Sequence, residues 1–250
     1  MAVLLLAAAV ATAVAPASAE SGRPGDFDYY ALVLSWSPTY CADRGTSRND
    51  PQCSSTRPYA FVMHGLWPQY ERGWPEFCRI GKRPWVPKRT IEGMLDIMPS
   101  PDLVIHEYKK HGVCSGLDAD GYFAFARRIF ERVRIPPQFV DTTTEIRTSP
   151  DAVERAFLAA NPRLKPDMIS VACGRPDRLR EIRICFSREG EFRTCGRNEQ
   201  QDRLCRARSI TMPPVRGAGA TGSGSVGRKS GKAGNGKAED GGAEVGQTPI

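Results

Sequence analysis

At 250 residues, with no internal repeat, the chain can bury one sizeable core, and a single domain is the default. Its formal net charge of +7 suits a polyanionic partner, although a mildly basic surface alone proves little. The eight cysteines (Cys41, Cys53, Cys78, Cys114, Cys173, Cys185, Cys195 and Cys205) include no C-x-x-C pair, which argues against a structural zinc site.

In chain order, residues 1–19 are almost wholly apolar and end in Ala17-Ser18-Ala19, a small-x-small pattern that predicts export and cleavage before Glu20. Pro16 and the small residues cut the apolar run near the minimum spanning length, which disfavours a membrane anchor. An even cysteine count behind such a leader predicts a disulfide framework in a secreted or periplasmic protein.

The run Tyr29 to Trp36 reads as a strand broken by Ser37-Pro38, and Tyr59 to His64 reads as a second strand stopped by a turn at Gly65. Ser100 and Pro101 supply an N-cap and first helical position for a helix carrying Leu103 to Lys110. Tyr122, Phe123, Ala126, Ile129, Phe130 and Val133 recur at helical spacing, and Ser149-Pro150 starts a further helix with Val153, Phe157 and Leu158 on one side. Met168 to Ala172 and Arg180 to Phe186 are predicted strands, the latter placing Ile182, Ile184 and Phe186 on one face. Strands grouped with helices between them predict an α+β domain, a central antiparallel sheet with helices packed around it, over residues 20–212. Residues 213–250, rich in Gly and Ser and with no aromatic side chain, cannot bury enough apolar surface to offset their ordering entropy and are predicted to be a disordered basic tail.

Only three histidines occur: His64, His106 and His111. On an ideal helix with His106 at zero, Lys110 falls near 40°, Glu107 near 100° and His111 near 140°. One face thus gathers two imidazoles, a carboxylate and an ammonium. The H-E-x-x-x-H spacing is one residue too long for two histidines to share a zinc-binding face, and Lys110 would repel a cation, so neither metal nor cofactor is expected. A neutral imidazole, a protonated one and a lysine are the parts needed for metal-free phosphodiester transesterification. That reaction requires a nucleophile within the substrate; RNA has a 2′-hydroxyl and DNA does not, so single-stranded RNA is the indicated substrate and no DNA cleavage is expected.

HGLWP at 64–68 and HEYKKHGVC at 106–114 resemble, in order and separation, the two signature segments of the T2 family of secreted endoribonucleases. The resemblance extends from Tyr29 to about Cys205 and includes SWSPTYC at 35–41. It implies a T2 ribonuclease-like α+β fold, with His111 as general base toward the 2′-hydroxyl and His64 as general acid toward the leaving 5′-oxygen. His106 would bind phosphate, Glu107 and Lys110 would stabilise the phosphorane, and Trp67 would stack on a base or pack in the core. A 2′,3′-cyclic phosphate slowly hydrolysed to a 3′-phosphate is the implied product. Tyr108 and Val113 depart from the family's usual Trp and Thr, outside the catalytic set. Gln69 and Ser35 stand where some members carry Asp and Gln that read bases, so broad base preference is expected of a monomeric enzyme with no membrane partner.

A hairpin after Phe186 would bring Cys185 to Cys195, with Cys173 and Cys205 nested outside. The resemblance agrees with both pairings and implies Cys78 with Cys114, which leaves Cys41 with Cys53.

Overall fold

The computed structural model describes residues 19–20, 22–44, 50–54 and 57–215. The predicted leader, apart from Ala19, and the tail from 216 onward lie outside these residues. Packing continues past Met212, where the sequence placed the end of the domain: Trp36 Nε1 donates to the Pro213 carbonyl, and the buried Val215 donates its N–H to the Thr142 carbonyl.

Six strands form the main sheet: β1 (Tyr29–Trp36), β2 (Phe61–Gln69), β3 (Ile146–Thr148), β4 (Ile169–Gly174), β5 (Arg178–Phe186) and β6 (Ile210–Met212). Their order is β2-β1-β5-β6-β3, with β4 also paired to β5. All pairings are antiparallel except a single parallel bridge between β5 and β6, Arg178 opposite Thr211, so the expected antiparallel sheet is in fact mixed. Central β1 is buried throughout except at the half-buried Ser35, as its apolar run from Tyr29 to Leu34 requires of a strand covered on both faces.

The longer helices are α1 (Ser37–Arg44), α2 (Pro101–Lys110), α3 (Ala119–Glu131) and α4 (Pro150–Ala160). Ser100 and Ser149 cap α2 and α4, each hydroxyl accepting from the backbone N–H three residues on, with proline at the first helical position. Aromatic residues of three elements meet in the core: Phe61 of β2 packs edge-on against Trp36 of β1 and Phe157 of α4.

Two features of β2 set how closely it approaches α2 and where its histidine points. The strand does not stop at Gly65 but runs on to Gln69, because Gly65 is a close approach and not a turn: a Cβ there would run into the Glu107 carboxylate of α2 and the Trp67 indole. Moreover, Val33 of β1 pairs with Gly65 while Leu34 pairs with Met63, so His64 is the extra residue of a β-bulge. A bulge re-aims a side chain, and here it turns the imidazole away from regular alternation.

Candidate active site

Three adjacent strands build the floor. Ser35 of β1 lies opposite Val62 of β2 and Glu181 of β5, and Val33 lies opposite Gly65 and Arg183. Opposed residues share a face, so the short side chains of β1 leave room for long ones from β2 and β5 to meet above them. His64 reaches into this space from one side, and Glu181 and Arg183 from the other.

The His64 imidazole lies between two buried carboxylates, with Nε2 3.7 Å from Glu107 Oε1 and Nδ1 3.7 Å from Glu181 Oε2. Each carboxylate is fixed through its other oxygen. Trp67 Nε1 donates to Glu107 Oε2 at 2.7 Å, and Arg183 donates to Glu181 Oε1 from Nε at 3.0 Å and Nη2 at 2.7 Å. Arg183 also pairs with the buried Glu199 at 3.4 Å, which accepts a hydrogen bond from the Tyr29 hydroxyl.

The α2 residues divide by exposure. His106 is exposed and lines, with His64, a cleft of about 440 Å³ whose walls include Ser35, Tyr40, Val62 and Leu103. Glu107 and His111 are only 1% and 4% exposed, and His111, the residue that ends the helix, stacks on Trp67 at 4.9 Å with 21° between the ring planes. Lys110 is half-buried and pairs with Glu76 at 3.6 Å. The structure thus brings His64, Glu107, His111 and Trp67 into one contact group, with His106 at its open edge.

Burial and charge set the two inner histidines in opposite directions. Burial alone would lower the His64 imidazole, but the facing carboxylates of Glu181 and Glu107 outweigh it and raise its pKa above the ordinary histidine value. Burial lowers His111 well below that value, and the positive charges of Lys110, His64, His106 and Arg183 lower it further. His106 is lowered too, by partial burial and then by Lys110. Burial pushes Glu107 up to about 7 against the opposing effects of His64, Trp67 and Lys110. Glu181 is buried as well, yet His64 and Arg183 hold it below the usual carboxylate range.

The two residues expected to contact substrate, Gln69 and Trp67, make contacts within the protein. Gln69 is 2% exposed, its amide donating to the Pro68 carbonyl and its Oε1 accepting from Asn198, so its side chain is packed and hydrogen-bonded within the protein. The partly buried Trp67 ring carries His111 in a stack, has the Arg183 guanidinium over it at 5.1 Å and donates to Glu107, which makes it an internal support of the site. Sequence reasoning missed Glu181 and Arg183. Their signal was the polar side of REIRICF, two charged residues at strand spacing opposite the apolar Ile182, Ile184 and Phe186.

An α+β sheet that gathers two oppositely poised imidazoles, a carboxylate and a lysine is the plan of an acid–base enzyme. Residues 27–195 match the model of the ribonuclease T2 family. The chain is 33% identical over 202 residues to a ribonuclease of Aeromonas hydrophila, a match covering 80% of this chain and 91% of that protein. It is 31% identical over 180 residues to a probable ribonuclease of Haemophilus influenzae, covering 67% of this chain and 61% of the relative. Among solved structures, the RNase-related protein from Calystegia sepium superposes with a TM-score of 0.59 at 20% identity, over 76% of this chain and 98% of that one, which shows a shared fold. The chain belongs to the ribonuclease T2 family and is an RNA-cleaving enzyme.

Proposed function

We propose that the enzyme cleaves single-stranded RNA by metal-independent transesterification, with His111 as general base, His64 as general acid and a 2′,3′-cyclic phosphate as first product. The observation that carries this reading is the opposite poise of the two histidines in one contact group, since a pair of titratable groups pushed apart by their surroundings assigns base and acid. The neutral His111 takes the proton of the 2′-hydroxyl, whose oxygen attacks phosphorus. The protonated His64 gives its proton to the departing 5′-oxygen. His106 and Lys110 meet the non-bridging oxygens, where charge grows, and Glu107, poised near neutrality, exchanges a proton with one of them. Hydrolysis of the cyclic ester to a 3′-phosphate follows with the histidine roles reversed.

Broad base preference is supported by the burial of Gln69, the engagement of Trp67 and the apolar share, Val62 and Leu103, of the cleft wall. Secretion or retention in a periplasm is supported by the four disulfides and the leader-like segment. Action as a monomer on RNA, without membrane attachment, belongs to the same reading, and no helix among the described residues is long and apolar enough to cross a membrane. Mass analysis of the products of a defined oligoribonucleotide in EDTA tests the chemistry. A cyclic phosphate that precedes the 3′-phosphate, and an uncut bond wherever the 2′-hydroxyl is replaced by hydrogen, are expected. Cleavage that leaves 5′-phosphate ends, or that stops with chelation, would overturn the mechanism.

A further inference from the structure

Between Phe77 and Ile91 the chain carries five basic side chains and no acidic one. Two of the five are neutralised locally, Lys88 by Glu92 and Arg89 by Asp120. The other three, Arg79, Lys82 and Arg83, are exposed and make no ion pair among the described residues; nor does Lys109 of α2, which faces them. Together with Phe77 these four cations line a second cleft, of about 770 Å³, apart from the one that holds His64 and His106.

Its rim is apolar where a solvated charged loop would not be. Phe77, which lines the cleft, is 54% exposed, and Trp85, next in the chain to the lining Pro84 but outside the lining itself, is 72% exposed; no other Phe or Trp among the described residues is so exposed. Phe77 also sits at a φ of +50°, a conformation that side chains of its size avoid, and its N–H donates to the Lys110 carbonyl at the end of α2. The neighbouring Cys78 is bridged to Cys114 just beyond that helix, so the segment is tied at its start to the element that carries His106, Glu107 and Lys110.

We propose that this cleft is a second substrate-binding site, which holds the phosphodiester backbone and one or two unstacked bases of the RNA strand beyond the bond being cut. Unpaired cations in a concavity take phosphates, exposed aromatic faces take bases of any identity, and the combination is how single strands are held without sequence preference. Lys109, flanked in sequence by Lys110, connects the two clefts along one helix, so a strand whose scissile phosphate lies at His106 and Lys110 can continue over Lys109 to Arg79, Lys82 and Arg83.

The proposal rests on the ribonuclease reading, and its test separates the two. Lys82→Ala/Arg83→Ala and Trp85→Ala variants of the full chain are compared with the wild type on a dinucleoside monophosphate, on a long mixed-sequence RNA, and in binding to a 2′-O-methyl oligoribonucleotide, which lacks the nucleophile. Expected are unchanged kcat/KM on the dinucleotide, a raised KM on the long RNA, and oligonucleotide binding weakened roughly tenfold by loss of Trp85. For the double variant, the slope of log affinity against log salt should fall by about 1.4, at about 0.7 for each lost phosphate contact. Equal changes on short and long substrates, unmoved oligonucleotide binding, or Lys82- and Arg83-dependent binding to anionic lipid vesicles but not to the oligonucleotide would overturn the proposal. A wild type that cuts neither substrate would overturn the ribonuclease reading instead, and the binding measurement would still decide the cleft.

Discussion

His64 holds its proton because Glu181 and Glu107 face its two nitrogens, and His111 sheds its proton because it is buried among cations. Activity should therefore rise with pH as His111 deprotonates, below the ordinary histidine value, and fall as His64 deprotonates, above it. The resulting bell in kcat/KM reports the free enzyme. His64→Ala and His111→Ala should each abolish most cleavage, whereas Glu107→Gln and Lys110→Ala should lower kcat more than they raise KM; a fully active His111→Ala enzyme would rule out its role as base. Glu181→Gln separates positioning from chemistry. With that charge gone, the His64 pKa falls and the alkaline limb of the profile moves to lower pH, while the acid limb set by His111 stays. Two limbs displaced together, or neither displaced, would show that Glu181 does not act through His64. The same carboxylate links pH to stability. Because its folded pKa is depressed, Glu181 contributes stability above the unfolded carboxylate value, and that contribution is lost as pH falls through the folded one.

The bulge and glycine of β2 bring strand and helix into contact, and Gly65→Ala would force the Glu107 carboxylate and the Trp67 indole aside. A cost of about 1–3 kcal/mol is expected from such overpacking, with a fall in kcat beyond what the loss of folded protein explains. Thermal melts beside kcat per folded molecule measure both. Ser100→Ala, by contrast, removes the cap at the far end of α2 and should cost about 1 kcal/mol with little effect on kcat. These two positions also mark what the sequence made legible. The cap was plain because serine before proline acts locally, and β1 was plain because six apolar residues in a row, Tyr29 to Leu34, have few other uses. The end of β2 was misread because a glycine that makes room for a carboxylate from another element looks the same as one that makes a turn. The contributions of Glu181 and Arg183 were hidden for a related reason: they contact His64 and Trp67 only through the β2-β1-β5 strand order, which no local pattern records. The candidate set was legible as a cluster because four of its members fall on one turn and a half of helix, whereas the hydrogen bond that Gln69 accepts from Asn198 joins residues far apart in the chain.

All four pairings reached from the sequence and the family resemblance, Cys41–Cys53, Cys78–Cys114, Cys173–Cys205 and Cys185–Cys195, are present, and two of them permit a comparison across the whole molecule. Cys78–Cys114 spans 36 residues and Cys173–Cys205 spans 32, so the chain-entropy account assigns them nearly equal shares of stability. Their positions differ. Cys173 lies on β4, which pairs with β5 on the side away from β1, and its bridge runs to the C-terminal segment. Cys114 follows directly on α2, so its bridge fixes the end of the helix from which Glu107, Lys110 and His111 project. Packing keeps α2 in place without the bridge, since Tyr108 is buried beside Tyr122 and the Tyr122 hydroxyl donates to the Leu66 carbonyl of β2. Cys78→Ser/Cys114→Ser and Cys173→Ser/Cys205→Ser should therefore both fold, each less stable by about 2–5 kcal/mol. Only the first should lose kcat per folded molecule, on the order of a hundredfold, because a shift of about 1 Å between His111 and His64 is enough for that. Denaturant midpoints and kcat on the dinucleotide, measured for both variants at a temperature where each is folded, decide the point. Equal losses of kcat would assign both bridges to stability alone, and an unchanged kcat in the Cys78→Ser/Cys114→Ser enzyme would show that packing of Tyr108 and Tyr122 suffices to place the helix.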